Sequence, residues 1–273
     1  MQIPNINRRK ISVLLKENKR LDGRSNYEHR PIHIETGVSN LAEGSARVRI
    51  GKTDVIVGIK MNVQAPYTDH QDEGTMVVSM EFSSTAGERY EPGPPKMDSI
   101  EIARVVDRGI RESGFIDWKK LCIESGKRVW SVNVDIYCIN DDGNAMDASA
   151  LAAVVALKTA VFPVYDEEIE NVSYGEFTKN PLPLTSNLPL TMTFYKIGDN
   201  LLLDPTRDEE DSSDSRITLA ISAPKKDKMI NAIQKGAETP LSEKDLDEII
   251  QQIEKTYDLI FPDIEKKIKD IVK

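Results

Sequence analysis

The chain has 273 residues, of which 39% are hydrophobic and 30% are charged, as in a soluble globular protein with one large domain or two smaller ones. Its formal net charge of −9 argues against a free-standing nucleic-acid binder, because such proteins usually carry a basic balance. No apolar run approaches the roughly 18 residues that span a bilayer, and the polar segment 1–19 does not resemble a secretory signal. Neither Cys122 nor Cys138 lies in a redox or zinc pattern, so we expect a cytoplasmic protein with no membrane partner and no cofactor.

Strand pairs and helices alternate through the first two thirds of the chain. The clearest pattern is a hairpin over 45–62, in which Val48 and Ile50 alternate with arginines before a turn at Gly51. A buried helix over 147–161 is predicted to end before Pro163, as proline requires. The other predicted elements are a helix over 8–20, a strand over 76–82, a helix over 99–112, and strands over 120–125 and 129–139.

Three prolines, Pro181, Pro183 and Pro189, predict a linker, after which the pattern of elements restarts. The second part is predicted to contain strands over 190–196, 200–204 and 216–222, a helix over 242–257 and an amphipathic tail over 260–272. A short echo between Ile50-Gly51 and Ile197-Gly198 fits either two related halves or a chance likeness of two hairpins. We divide the chain into an N-terminal helical extension (1–20), a first subdomain (21–185), a second subdomain (186–257) and a C-terminal helical tail (258–273).

One face of the second predicted helix carries a basic stripe. Arg104, Arg108 and Arg111 follow an i, i+4, i+7 spacing, which places them within about 60° of one another around the helix axis. Such a stripe can follow a phosphate backbone or hold the acidic groups of a partner. The alternative is a solvated face with ion pairs inside the helix, such as Glu101 with Arg104 or Asp107 with Arg111.

A glycine turn, Asp141-Asp142-Gly143-Asn144, precedes the buried helix. Backbone N–H groups and the helix dipole attract anions at such a turn, which gives it the shape of a phosphate cradle. Three aspartates crowd the turn, however, and the segment contains no Arg, Lys or Ser donor. Like-charge repulsion there amounts to several kcal/mol per close pair at an effective dielectric of about 20. We therefore predict an empty cradle in which Gly143 and Asn144 cap the helix and Asp147 satisfies its N–H groups.

An acidic segment over 204–211, which closes at Asp214, is the third candidate site. Carboxylates at a strand end, here Asp204 and Glu210, can bind a divalent metal or act as acid and base. A charged hairpin loop in solvent is the alternative.

The three histidines are predicted not to bind a metal. His29 and His33 have the spacing of a metal pair on a helix, but Pro31 between them breaks that geometry. The sequence contains no Ser/His/Asp or Cys/His arrangement that indicates nucleophilic catalysis.

Seven short motifs carry a family resemblance. They are Arg20-Leu21-Asp22-Gly23-Arg24, Arg30-Pro31-Ile32, Gly44-Ser45-Ala46, Gly51-Lys52-Thr53, Gly58-Ile59-Lys60, Asp107-Arg108-Gly109-Ile110-Arg111 and Leu203-Asp204-Pro205-Thr206. In this order they resemble the RNase PH-type subunits of the archaeal and eukaryotic exosome, and most closely the non-catalytic ring subunits of the archaeal complex. The similarity extends from about residue 20 to residue 257, and the order of the motifs is more specific than any one of them.

The resemblance implies an α/β, RNase PH-type fold of two similar βαβ-rich halves with mixed sheets and packed helices. It further implies a hexameric ring of three heterodimers with a catalytic RNase PH-type subunit, and RNA-binding cap subunits on one face. Single-stranded RNA is degraded by phosphate from its 3′ end within such an assembly. Subunits of this kind help to structure the partner's active site, and Arg104, Arg108 and Arg111 are the candidates for that role and for RNA binding.

The same resemblance argues against catalysis by this chain. Active members carry Gly-Ser-Arg at the phosphate turn, where this chain has Gly143-Asn144-Ala145, and paired arginines where it has Met97-Asp98. Their acid pair is only half matched, by Asp204 with Glu210 in the second position. We therefore predict a non-catalytic subunit whose phosphate and acid site, at Gly143, Asn144, Asp204 and Glu210, is degenerate. The alternative is a phosphorolytic 3′→5′ exoribonuclease that uses Asp204.

Overall fold

The structure is a computed structural model that describes residues 5–166, 170–223 and 227–271. The helices in these ranges are α1 (Asn5–Lys16), α2 (Met97–Glu112), α3 (Ala145–Thr159), α4 (Arg207–Asp211) and α5 (Glu243–Ile271), with a short 3₁₀ turn over Trp118–Leu121. Of the helices described, none combines the length and the apolarity that crossing a bilayer requires. Helix α1 begins and ends a few residues earlier than predicted, and Asn18 beyond it has a φ of +52°.

Six strands form the first sheet: β1 (Ile32–Thr36), β2 (Gly44–Ile50), β3 (Thr53–Gln64), β4 (Thr75–Phe82), β5 (Cys122–Glu124) and β6 (Arg128–Asn140). Their order is β1-β2-β3-β6-β4, with β5 beside β6. All pairs are antiparallel except β4 and β6, which are parallel, so the sheet is mixed. The predicted hairpin over 45–62 is β2–β3, with Ile50 opposite Thr53.

A separate hairpin and a second sheet follow. The hairpin is β7 (Val161–Asp166) with β8 (Asn171–Pro181), and the sheet contains β9 (Leu190–Ile197), β10 (Asn200–Leu203), β11 (Ser215–Ser222) and β12 (Met229–Gly236). The sheet has the order β10-β9-β11-β12 and is antiparallel throughout. The turns β2–β3 and β9–β10 are alike, because Gly51 and Gly198 have φ values of +58° and +59°.

Helix α3 forms the centre of the molecule. It contacts β2 and β3 of the first sheet, β9 of the second sheet and helix α2. A helix that is apolar on every side is stable only in such an interior position. A Cβ on Gly44 of β2 would collide with the backbone of Ala156 and Ala160, so the close approach of sheet and helix requires glycine there. The burial of α3 carries the glycine turn at its start into the space between the two sheets.

Helix α5 runs unbroken through Pro262 and joins the predicted helix 242–257 to the predicted tail. It begins with a reciprocal cap, in which the Asp245 N–H donates to Ser242 Oγ at 3.2 Å and the Ser242 N–H donates to Asp245 Oδ2 at 2.7 Å. Ile264 and Ile268 of the tail are buried in the main core.

The predicted α/β architecture of mixed sheets and packed helices is confirmed, and the four domain boundaries stay a prediction. Strands β1, β7, β8 and β12, helix α4 and the 3₁₀ turn were not predicted. Strand β8 ends at Pro181, so the linker consists of the residues after it, and β12 pairs with β11 as the edge of the second sheet.

Candidate functional site

The glycine turn lies between the end of β6 and the start of α3, and the segment that leads into α4 packs against it. Gly143 has a φ of +88°, which a glycine adopts without strain. A Cβ at this position would lie 2.5 Å from the carbonyl carbon of Thr206 and 2.6 Å from the backbone nitrogen of Arg207. The fold therefore places the predicted phosphate turn directly against the acidic segment.

Carboxylates already accept hydrogen bonds from the N–H groups of the turn. The Gly143 N–H donates to Asp141 Oδ1 at 3.0 Å, and the Asn144 N–H donates to Glu210 Oε2 at 2.8 Å. A side chain from α4 thus holds the position in which an incoming anion would bind the start of α3. The cradle was predicted to be empty, but the carboxylate of Glu210 occupies it.

Arginines that are distant in sequence surround the turn. Arg30 donates from Nη1 to the carbonyl oxygen of Asp142 at 2.9 Å and from Nη2 to that of Gly143 at 3.0 Å. Arg207 forms an ion pair with Asp141 at 2.9 Å. The segment itself has no cation, but the fold brings these two arginines to it from other parts of the chain. Sequence reasoning missed both arginines as site residues, although Arg30 lies in one of the family motifs and Arg207 lies inside the acidic segment.

Asp204 is fully buried at the end of β10, in the left-handed region with a φ of +49°. It accepts hydrogen bonds from Arg30 Nη2 at 2.7 Å and from Asn144 Nδ2 at 2.9 Å, both to Oδ1. Burial alone would raise the pKa of Asp204, but the charge of His29 and the hydrogen bonds from Arg30 lower that pKa well below its ordinary value. Asp204 is therefore an ionised residue that joins the acidic segment to the turn.

Asp147, in the first turn of α3, does not cap the helix as predicted. Its carboxylate accepts from the Thr193 N–H at 3.0 Å, from Thr193 Oγ1 at 2.7 Å and from Asn144 Nδ2 at 3.0 Å. It therefore connects α3 to β9 of the second sheet. Burial raises the pKa of Asp147 to about 7, in spite of the hydrogen bonds from Thr193 and Asn144 that favour the ionised form.

The acidic segment is a helical turn and not a solvated hairpin loop. Thr206 and Glu209 form a capping box at the start of α4, and Glu209 is buried against Arg20, whose Nε donates to Oε1 at 2.9 Å. Asp211 binds Arg89 at 3.0 Å and also binds Arg207. The buried and partly buried carboxylates of the segment thus have arginine partners, whereas Asp208 is exposed.

The histidine nearest to this cluster is His29, whose Nδ1 lies 2.9 Å from the carbonyl oxygen of Arg30 and 3.6 Å from Asp204 Oδ2. Over residues 5–166, 170–223 and 227–271, no three His, Cys, Asp or Glu side chains are grouped so that they could hold a metal ion.

The three arginines of the α2 stripe lie in different environments. Arg104 and Arg108 are exposed, and the described residues give neither of them a hydrogen bond or an ion pair. Arg111 is partly buried: it binds Asp107 at 2.8 Å and lies over the ring of Trp118, with its Cζ 5.3 Å from the centroid. The ion pair predicted between Asp107 and Arg111 is therefore present.

The alternative of ion pairs inside the helix had Glu101 as a partner of Arg104, but Glu101 forms an ion pair with Arg216 of β11 instead. The contact turns Glu101 toward the second sheet and leaves Arg104 facing a cleft. Sequence spacing inside one helix could not reveal this, because the competing cation comes from a strand 115 residues away.

The cleft is a cavity of about 730 Å³ between α2 and the strands β11 and β12. Its lining contains five basic side chains and two carboxylates, together with apolar groups such as Ile100 and Ile233. The charged residues are Arg104, Arg108, Arg207, Arg216, Lys235, Glu101 and Glu210. A cleft with this excess of positive charge, on a chain whose net charge is −9, is suited to a phosphate backbone or an acidic partner surface. Arg216 and Lys235 were not predicted as part of it.

Comparison with known proteins gives two adjacent family matches. Residues 28–163 match the first domain of the 3′ exoribonuclease family, RNase PH, and residues 187–252 match its second domain. The two matched segments contain the first and second sheets, respectively.

Individual relatives agree with the family match over most of the chain. The chain is 42% identical over 250 residues to a Methanosarcina mazei protein named exosome complex component Rrp42, with 91% of this chain and 90% of that protein covered. A protein of the same name from Thermococcus gammatolerans is 45% identical over 234 residues, with 85% and 84% covered. A solved structure described as the Archaeoglobus fulgidus exosome with RNA bound to the active site superposes with a TM-score of 0.81 at 41% identity, with 91% of this chain and 93% of that chain covered.

Proposed function

Because this chain belongs to the 3′ exoribonuclease family of RNase PH-type proteins, we propose that it is a non-catalytic ring subunit of an exosome. It pairs with a catalytic RNase PH-type subunit in a hexameric ring and helps to structure the partner's active site. It also contributes basic residues that bind single-stranded RNA for 3′→5′ phosphorolysis. RNA-binding cap subunits and a cytoplasmic location belong to the same proposal.

The basic cleft beside α2 is the observation that carries the role in RNA binding. Arg104 and Arg108 project into it without partners among the described residues, so a phosphate backbone can displace solvent there without breaking an existing ion pair. An acidic chain with one basic cleft fits a subunit that binds RNA inside an assembly rather than alone. Arg111 belongs to the same stripe but is engaged with Asp107 and Trp118 outside the cleft.

The contacts at the turn argue against phosphorolysis by this chain. In-line attack requires a phosphate that is held in place and whose charge is neutralised. Glu210 occupies the Asn144 N–H at 2.8 Å, so a phosphate at the same position would meet a carboxylate. The alternative role of Asp204 as a catalytic acid is also disfavoured, because that carboxylate is fully buried and bound by Arg30 and Asn144.

Reconstitution with a catalytic RNase PH-type exosome subunit tests the proposal. Poly(A) and inorganic phosphate are supplied, and the release of nucleoside diphosphates is measured for the chain alone and for the assembled ring. We expect no release by the chain alone and release by the ring. The double variant R104E/R108E is expected to fold and assemble but to lower RNA degradation by about tenfold or more, since two phosphate contacts become repulsive.

A matched control makes the same change of charge elsewhere. Lys255 and Lys266 are exposed on α5, and the variant K255E/K266E is expected to degrade RNA at the wild-type rate. Equal loss in both double variants, or no loss in either, would contradict the role of the cleft. Diphosphate release by the chain alone, abolished in D204N under conditions in which circular dichroism shows that variant to be folded, would instead establish the catalytic alternative.

A further inference from the structure

Arg216 of β11 binds a carboxylate of α2 that has the spacing to pair within its own helix. Arg216 Nη2 donates to Glu101 Oε1, and Gln234 Nε2 of β12 donates to the same oxygen at 3.4 Å. Both members of the ion pair are partly buried, with 17% of the Arg216 side chain and 31% of the Glu101 side chain exposed. Two strands of the second sheet therefore hold this carboxylate.

The glycine opposite Arg216 makes room for its guanidinium. Arg216 and Gly236 face each other in the ladder between β11 and β12. Gly236 lies in a strand and does not have a left-handed φ, so its own backbone does not require glycine. A Cβ there would lie 2.5 Å from Arg216 Nη2 and 2.9 Å from Arg216 Cζ. The missing side chain at residue 236 thus leaves the space in which the guanidinium reaches Glu101.

Arg104 is the cation that a released Glu101 would meet on its own helix. The two residues are three positions apart on α2, which is the spacing of an ion pair inside a helix. Arg104 is exposed, and the described residues give it no hydrogen bond or ion pair. Arg108 is seven positions from Glu101, about 10 Å along the helix axis, and is too distant to compete.

Three other charged groups of the cleft have partners of their own. Arg207 forms ion pairs with two aspartates, and Lys235 donates to a backbone carbonyl oxygen at 2.6 Å. Glu210 also lies near Arg216, but a backbone N–H of the glycine turn holds its carboxylate at 2.8 Å. Loss of the Arg216 guanidinium therefore releases Glu101 in particular.

We propose that Arg216 is a positioning residue for RNA binding, which retains Glu101 and so keeps Arg104 free to bind an RNA phosphate. The inference rests on the proposed role of the cleft in RNA binding. Arg216 acts through Glu101 and does not itself need to touch the RNA. A carboxylate released beside Arg104 would neutralise part of the charge of that arginine and would also repel the phosphate.

The side-chain Nε–H signal of Arg104, observed by nuclear magnetic resonance in the chain alone, tests the exchange of partners without RNA. R216M removes the charge and the donors of Arg216, so the signal is expected to shift as Glu101 pairs with Arg104. In E101Q/R216M the signal is expected to return close to its wild-type position. An Arg104 signal that is the same in wild type and R216M would overturn the inference, as would a shift that persists in E101Q/R216M.

The assembled ring tests the consequence for RNA. Affinity for poly(A) is measured at several salt concentrations without inorganic phosphate, after circular dichroism and a size measurement have shown that each variant folds and assembles. R216M is expected to bind about two- to fivefold more weakly, the scale of one exposed ion pair. The slope of log K against log salt should fall by about 0.7, the value for one phosphate contact on a single strand. E101Q/R216M should regain the affinity and the slope of wild type.

The matched control is D98N/R216M, which has the same net charge as E101Q/R216M but keeps Glu101. Asp98 is exposed in the first turn of α2, six positions from Arg104 and outside the spacing of a helical ion pair. The control should bind RNA as weakly as R216M, and equal rescue by D98N and E101Q would overturn the inference by reducing the effect to net charge. A loss that E101Q does not rescue would assign Arg216 a direct contact with RNA and would overturn it too. Unchanged RNA degradation by R104E/R108E would instead contradict the proposed function, while the Arg104 signal would still report whether Arg216 retains Glu101.

Discussion

Arg30 binds the carboxylate of Asp204 through three N–H groups, its backbone N–H at 2.8 Å, Nε at 2.9 Å and Nη2 at 2.7 Å. The two residues are 174 positions apart, and both side chains are buried. The same guanidinium donates to the carbonyl oxygens of Asp142 and Gly143. One arginine therefore holds the end of β10 against the turn that starts α3, and the pair is a structural junction between the two sheets.

Replacement of Asp204 by Asn should destabilise the chain strongly. Asn tolerates the left-handed φ of +49° and keeps the shape of the side chain, so the change isolates the charge. Removing one partner of a buried ion pair leaves an uncompensated charge, here on Arg30, and typically costs about 3–5 kcal/mol. The free energy of unfolding in urea measures the effect. D208N, at an exposed position of α4, should change it by less than about 0.5 kcal/mol. Equal unfolding midpoints for D204N and wild type would show that the pair does not stabilise the junction.

Gly143→Ala should lower the free energy of unfolding more than Gly23→Ala does, although the two glycines have the same conformation. Gly143 and Gly23 have φ values of +88° and +86°, so both substitutions carry the strain of a left-handed alanine, on the order of 1–2 kcal/mol. A Cβ on Gly23 meets no atom within 4 Å, whereas a Cβ on Gly143 would lie 2.5 Å from the backbone of Thr206. The unfolding free energy of G143A should therefore fall below that of G23A by about 1 kcal/mol or more. Equal losses would mean that the turn and α4 are not in fixed contact.

Local patterns predicted the elements whose burial shows in the sequence, either as an alternation or as one long apolar run. The β2–β3 hairpin alternates buried and partly exposed residues, and α3 is an uninterrupted apolar run, so both were recognised. Strand β8 is exposed or partly exposed at all residues but Val172, and β12 is an edge strand with no fully buried residue. Because neither strand alternates between buried and exposed residues, neither has a period-2 pattern that could be recognised in the sequence. Helix α5 passes through Pro262, although proline within a pattern normally marks a helix end.

The site was harder to predict because its partners come from distant segments. The residues Gly143, Asn144, Asp204 and Glu210 were chosen from motifs, and the structure brings these four together. Arg30 and Arg216, which determine how the acids are paired, lie on other strands or segments, and no spacing rule connects them to the turn. Charge counted along one segment therefore overstated the repulsion, since the fold supplies the compensating cations from elsewhere.

Within the basic stripe of α2, we expect Arg111 to stabilise the fold and Arg108 to bind RNA. Arg111→Met removes the contact with Asp107 and the stacking over Trp118, so we expect a loss of about 1 kcal/mol in unfolding free energy. The rate of RNA degradation by the reconstituted ring should stay near that of wild type. Arg108→Met should do the reverse, with unfolding changed by less than about 0.5 kcal/mol and RNA degradation reduced. If R111M slowed degradation as much as R108M without loss of stability, Arg111 would belong to the RNA-binding set.

Asp147 should make the chain less stable as the pH rises toward neutrality. Burial raises its pKa to about 7 in the folded chain, against about 3.9 in an unfolded one, so the folded state holds this proton more tightly. The stabilisation from the protonated carboxyl is complete below pH of about 4 and is lost as the pH rises through about 7. Three pH units at 1.36 kcal/mol each set an upper scale of about 4 kcal/mol.

The variant D147N cannot titrate, and its amide can still accept a hydrogen bond from Thr193. Unfolding free energies of wild type and D147N are compared from pH 4 to pH 8. We expect the stability of wild type relative to D147N to decrease across that range, most steeply between pH 5 and pH 7. The exposed variant D208N keeps Asp147 and should therefore lose stability with rising pH in parallel with wild type. A constant difference between wild type and D147N would show that the pKa of Asp147 is not raised in the folded chain, with Thr193 and Asn144 compensating its burial in full.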